Sequence, residues 1–74
     1  MTSTHTLWQM RGYLGRHVAC NLIPQDNGYL LRVERGGEVM IAEPHHTMTA
    51  AVERATALCS LLLEQGWTLT YQMV

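Results

Sequence analysis

Seventy-four residues, 47% apolar and 15% charged with a net charge of −1, describe one small globular domain and exclude a disordered chain. The longest uninterrupted apolar run is Val39–Ala42, too short to span a membrane as a helix. The chain has no lysine, and its charge is mildly divided: Arg11, Arg16, Arg32 and Arg35 outweigh Asp26 and Glu34 in the first half, whereas Arg54 is outweighed by Glu38, Glu43, Glu53 and Glu64 in the second. That imbalance is smaller than the clustered Lys and Arg stripe of a typical nucleic-acid binder.

Residues 1–6 are polar and read as a disordered N-terminus, with neither a basic n-region nor an apolar h-region, so the expected location is cytoplasmic. Residues 7–74 read as a single domain. Between Thr6 and Leu14, Trp8, Met10, Gly12 and Leu14 alternate with Gln9, Arg11 and Tyr13, which predicts an irregular strand bent at its glycines. From Arg16 to Ile23 the alternation is cleaner, with Val18, Cys20 and Leu22 inward. Pro24-Gln25-Asp26-Asn27-Gly28 then predicts a hairpin. Tyr29–Glu34 follows as a strand with Tyr29, Leu31 and Val33 on one face.

Glu38–Ala42 is the next strand, and Pro44 is expected to stop it. A two-residue Gly36-Gly37 turn would set Arg32 against Ile41 and Glu34 against Val39. A three-residue Arg35-Gly36-Gly37 loop instead pairs Val33 with Val39 and Leu31 with Ile41. Because a one-residue slip inverts every side chain, the longer loop is the expectation.

Thr47–Gln65 carries the strongest signal in the chain. Advanced at 100° per residue, Met48, Ala51, Val52, Ala55, Leu58, Cys59, Leu62 and Leu63 share a sector about 140° wide. Thr47 or Thr49 supplies an N-cap, while Gly66 and Trp67 suit a Schellman ending. Leu61 alone breaks the pattern, in the middle of the polar face beside Ala50 and Ala57. It is either a solitary exposed leucine or a seam for a partner helix. Last, Trp67, Leu69, Tyr71 and Met73 alternate as a strand expected to run parallel to the one before the helix.

The expected fold is therefore α+β: a mostly antiparallel sheet of three to five strands packed on one α-helix, in the order (β)-β-β-β-α-β. That order, with Gly28-Tyr29 after the first hairpin, is similar in topology to many small bacterial domains, among them antitoxins with a partial double-stranded-RNA-binding fold.

Few residues suggest chemistry. Cys20 and Cys59 lack metal-type spacing and are read as buried thiols that meet across the core, free or as a strand-to-helix disulfide. His45-His46 sits before the helix, in an exposed loop or a metal or anion site. His17 points outward from its strand. Ser60 has no nucleophile elbow, and Gly36-Gly37 belongs to a hairpin rather than a phosphate loop. No enzyme, metal or cofactor is expected.

What remains is surface. One sheet face has nothing in the chain to cover it, and it is assigned His17, Ala19, Asn21, Ile23, Leu30, Arg32, Glu34 and Met40. It is either solvated or an interaction surface centred on Ile23, Leu30, Arg32 and Met40, with Leu61 as a second contact. A 74-residue domain buries only about 60% of its unfolded surface, and association is a common remedy. The expected function is a non-catalytic binding or regulatory module that homodimerises through a sheet face or edge strand. Its expected partners are itself or another protein, with no membrane. The alternative is an antitoxin-like regulator that binds nucleic acid through its arginine-bearing N-terminal half.

Overall fold

The computed structural model describes residues 3–73. It contains β1 (His5–Arg11), β2 (His17–Gln25), β3 (Gly28–Arg35), β4 (Glu38–His45), α1 (Met48–Glu64) and β5 (Thr68–Gln72). The strands form one sheet in the order β4-β3-β2-β1-β5, and every hydrogen-bonded pair is antiparallel. The α+β class and the element order match the expectation. β5 runs in the same direction as β4, as expected, but lies at the opposite edge, joined to β1.

The core lies between α1 and one sheet face. Met10, Cys20, Leu22 and Leu31 are sealed from solvent, and Trp8, Val18, Val33, Ala51, Ala55, Leu58 and Cys59 complete it. Trp8 ties the layers together, because its buried indole Nε1–H donates to the Ala55 carbonyl at 2.9 Å. Both cysteines are free and buried.

The helix ends are those the residues dictate. Thr47 Oγ1 accepts from the Ala50 amide at 3.1 Å. At the other end, Gly66 takes φ 96° and its amide donates to Leu63 O, while the Trp67 amide reaches back to Leu62 O, each at 3.1 Å. The apolar stripe is buried only along its centre: Met48, Val52 and Leu63, on its edge, remain 40–49% exposed. The helix is narrower than the sheet and no second helix among the described residues lies beside it, so one flank of the stripe overhangs open sheet.

Several expectations need correction. His5 and Thr6, assigned to a disordered arm, pair with Leu22 and Asn21 in the sheet; residues 1 and 2 lie outside the described residues. The first strand stops at Arg11 instead of reaching Leu14. A 3₁₀ turn at Tyr13–Gly15 follows, in which Leu14 takes the left-handed conformation (φ 62°, ψ 30°) at a cost of about 1–2 kcal/mol. Gly12 is needed there because a Cβ would sit 2.6 Å from the Trp67 ring. Leu14, expected inward, is 79% exposed.

The β3–β4 turn is Gly36-Gly37 with φ 59° and 84°, the paired positive values of a type I′ hairpin, and not the longer loop. Arg35 pairs with Glu38 and Glu34 with Val39. A bulge at Met40 then shifts the register so that Val33 meets Ile41 and Leu31 meets Glu43. The chain thus corrects its side-chain phase inside the strand instead of in the loop. β4 also continues through Pro44 to His45, which its place at the sheet edge permits. In β5 a bulge at Thr70 brings Tyr71 opposite Gln9, away from the core that Leu69 enters.

Trp8→Phe is expected to lower the free energy of unfolding by about 1–3 kcal/mol in a urea titration, because the substitution removes a buried donor and leaves packing volume unfilled. An unchanged midpoint would show that the tether adds no stability.

Candidate interaction surfaces

Three surfaces carry the side chains that the core does not use. The first is the sheet face opposite α1. Ile23 pairs with Leu30, Leu30 with Pro44, and Arg32 lies between Asn21 and Ala42, so three of the residues singled out from the sequence do share this face. The face also holds a polar chain. Thr6 Oγ1 donates to Asn21 Oδ1 at 2.9 Å, Asn21 Nδ2 donates to Glu34 Oε2 at 3.4 Å, and Glu34 Oε1 lies 2.9 Å from Arg32 Nε. Asn21 is only 9% exposed, although nothing among the described residues covers this face; its neighbours alone enclose it. Arg32 Nε is in ionic contact with Glu34, but its N–H is not directed along that contact, so this buried nitrogen makes no hydrogen bond.

The second surface is the groove between α1 and the β3–β4 edge. Met40 and Leu61 lie here together, with Ile41, Leu62 and Trp67, around a cavity of about 260 Å³. Met40 therefore does not belong to the open face, because the two-residue turn sets Val39 on that face and Met40 on the helix side. Leu61 is 50% exposed, and it is less solitary than its place on the polar face suggests. The remaining surface is the pair of sheet edges. The β4 edge carries Glu38, Glu43, His45 and Pro44; the β5 edge, Thr68-Leu69-Thr70-Tyr71-Gln72, carries no charge and no proline.

The histidines do not converge. His45 contacts Glu43 at 3.3 Å, and Arg54 reaches the same carboxylate at 3.2 Å from the helix. His45 and His46 line an open cleft of about 700 Å³ beside the β2–β3 turn, while His17 stands exposed at the other end of β2. Among the described residues, no three His, Cys, Asp or Glu side chains meet as a metal site would require. The Arg54 hydrogen bonds, with help from His45, hold the Glu43 carboxyl below its ordinary value. Burial, reinforced by the charge of a Cys59 thiolate, pushes the Cys20 thiol up to about 12, and burial also raises Cys59. Thiolate chemistry is therefore suppressed at both.

No protein-family model matches the chain, and comparison with curated proteins and with solved structures gives no match. No helix among the described residues is long and apolar enough to cross a membrane.

Two features escaped the sequence reading. The first is the burial of Asn21, which the residue's place on an outward strand face gives no reason to expect. The second is the exposed Tyr13-Leu14 turn, whose only sequence signal is the Gly12–Gly15 bracket.

Asn21→Ala is expected to cost about 1–3 kcal/mol in chemical denaturation, since it strips partners from Thr6 and Glu34 at once. Glu43 titrates in the opposite sense to a buried thiol. Its depressed folded value means that its contribution is fully present above the ordinary 4.5 and is lost as pH falls below that through the lower folded value. Glu43→Gln is therefore expected to remove about 0.2–1 kcal/mol at pH 7 and nothing at pH 2. Equal losses at both pH values would assign the effect to something other than charge.

Proposed function

We propose that this protein is a small, non-catalytic binding module that homodimerises by pairing β5 of one copy with β5 of another, and that it presents its open sheet face to a partner protein. The observation that carries the reading is the contrast between the sheet edges. An unpaired edge is a row of free N–H and C=O groups that proteins usually blunt with charge or proline. β4 is blunted in that way, by Glu38, Glu43 and Pro44. β5 is not. Each edge strand carries a bulge, at Met40 and at Thr70, so the bulges do not distinguish them.

A two-fold axis through the middle of β5 sets Thr70 against Thr70 and brings together only the uncharged Thr, Leu, Tyr and Gln residues of the two strands, without like-charge repulsion. The same operation on β4 would set Glu38 against His45 and Glu43 against Met40, and would use a proline that cannot donate. Binding rather than catalysis is supported by the raised cysteine thiols and by the use of Glu43 in ion pairing. On the open face, Ile23, Leu30 and Ala42 around the part-exposed Arg32 suit a partner that combines apolar side chains with a carbonyl or carboxylate.

Sedimentation equilibrium at tens of micromolar is expected to show a dimer, with Thr70→Lys shifted to monomer by like charges across the axis and Leu30→Glu still dimeric. A strict monomer would contradict the reading. So would a dimer that survives Thr70→Lys and fails with Leu30→Glu.

A further inference from the structure

The five arginines fall into two groups. Arg32 pairs with Glu34 and Arg54 with Glu43. The other three, Arg11, Arg16 and Arg35, have no carboxylate of the described residues within 4 Å, and all three lie at the same end of the sheet. Arg11 and Arg35 leave opposite sheet faces there: Arg11 is the cross-strand neighbour of exposed His17, whereas Arg35 is that of buried Val18 and lines the groove beside the helix with Met40 and Leu61. Glu38, opposite Arg35, is the one acidic residue of the ladder at this end, and it leaves an excess of positive charge.

Between Arg11 and Arg16 stands the Gly12–Gly15 turn. It presents Tyr13 at 86% and Leu14 at 79% exposure, the two most exposed large apolar side chains. The turn is built and held in place. The Gly12 amide donates to Arg16 O at 2.7 Å, Gly12 abuts the Trp67 ring, and Leu14 is kept in a left-handed conformation that leucine disfavours. A fold that holds an aromatic ring clear of the surface, in a strained turn, amid unpaired guanidinium groups offers a platform for planar, polyanionic ligands.

We infer that the Tyr13 turn, with Arg11 and Arg16 on either side of it, is a binding site for single-stranded nucleic acid, in which a base stacks on Tyr13 and the arginines meet the flanking phosphates. The site is independent of how the chain dimerises. Stacking on an exposed ring is tolerant of sequence, and guanidinium groups engage phosphate in a bidentate way, so the expected binding is weak, salt-dependent and without strong sequence preference. An anionic lipid surface would use the same charge. Stable membrane anchoring, however, takes more apolar area than one Tyr-Leu pair, because even a whole myristoyl chain binds only marginally.

The test is fluorescence anisotropy with labelled dT12 and rU12 at low salt. The expected dissociation constant is about 10⁻⁴–10⁻⁶ M, and the expected slope of log K against log salt is about −1.4, the value for two phosphate contacts on a single strand. Arg11→Ala and Arg16→Ala should each reduce that slope by about 0.7, whereas Arg35→Ala, in the helix-side groove, should leave it unchanged. Tyr13→Ala should weaken binding about 5- to 150-fold, and Tyr13→Phe should retain it. Arg54→Ala serves as the control, because its arginine is already paired on the helix. Tyr13 is solvent-exposed, so an unchanged melting temperature for Tyr13→Ala separates lost binding from lost fold. Three results would overturn the inference: no binding at low salt, equal weakening by Arg54→Ala, or oligonucleotide binding indifferent to Tyr13. Binding to vesicles with one quarter phosphatidylglycerol, dependent on Tyr13 and Leu14 in the absence of oligonucleotide binding, would reassign the site to membranes.

Discussion

A single helix has to cover five strands, and most of this structure follows from that mismatch. Strands about 4.8 Å apart put roughly 19 Å between the outer strand axes, whereas a helix with its side chains is about 10 Å across. α1 therefore seals only the middle of the sheet, where Trp8 fastens it through the Ala55 carbonyl. The burial pattern shows the shortfall directly. Ala51, Ala55, Leu58 and Cys59 are buried beneath the helix, while Val52, Leu63 and Leu61 stay 40–50% exposed along its sides. The groove that holds Met40 and Leu61 is one product of the shortfall, and the uncovered outer strands are the other. A domain with so little core has much surface available for association.

The register shifts decide which side chain reaches which surface. Each is a one-residue event, and in a strand one residue exchanges the two faces. The two-residue Gly36-Gly37 turn puts Met40 on the helix side, the bulge there keeps Ile41 on that side with it, and the bulge at Thr70 sends Tyr71 to the open face. Strict alternation could not show either. The helix was legible because its period, its Thr47 cap and its Gly66-Trp67 ending are local features that agreed. The inward sets Val18-Cys20-Leu22 and Leu31-Val33 were legible for the same reason. The Gly36-Gly37 turn was misassigned because the rule against opposing charged and apolar residues was applied across the whole strand. The protein accepts such oppositions, Glu34 with Val39 before the bulge and Leu31 with Glu43 beyond it.

Of the candidate surface, Ile23, Leu30 and Arg32 were read together correctly, since they belong to unbulged stretches of β2 and β3. The polar chain from Thr6 through Asn21 to Glu34 was not legible, because it joins three strands whose pairing the sequence leaves open. The same holds for the arginines. Along the chain they give only a slight excess of positive charge in the first half, whereas folding pairs Arg32 and Arg54 with carboxylates and gathers the other three at one end. Charge that looks diffuse in sequence is sorted in space, and the acidic residues of β4 protect one sheet edge while the other stays neutral.

That difference between edges is the centre of the account, and amide hydrogen exchange reads it most directly. Exchange of the β5 and β4 backbone amides can be followed at about ten micromolar and again at several hundred micromolar. If β5 pairs with β5, its outward amides gain protection as concentration rises, while those of β4 exchange at the same rate throughout. Protection that appears at β4, or that appears at neither edge over that range, would contradict it.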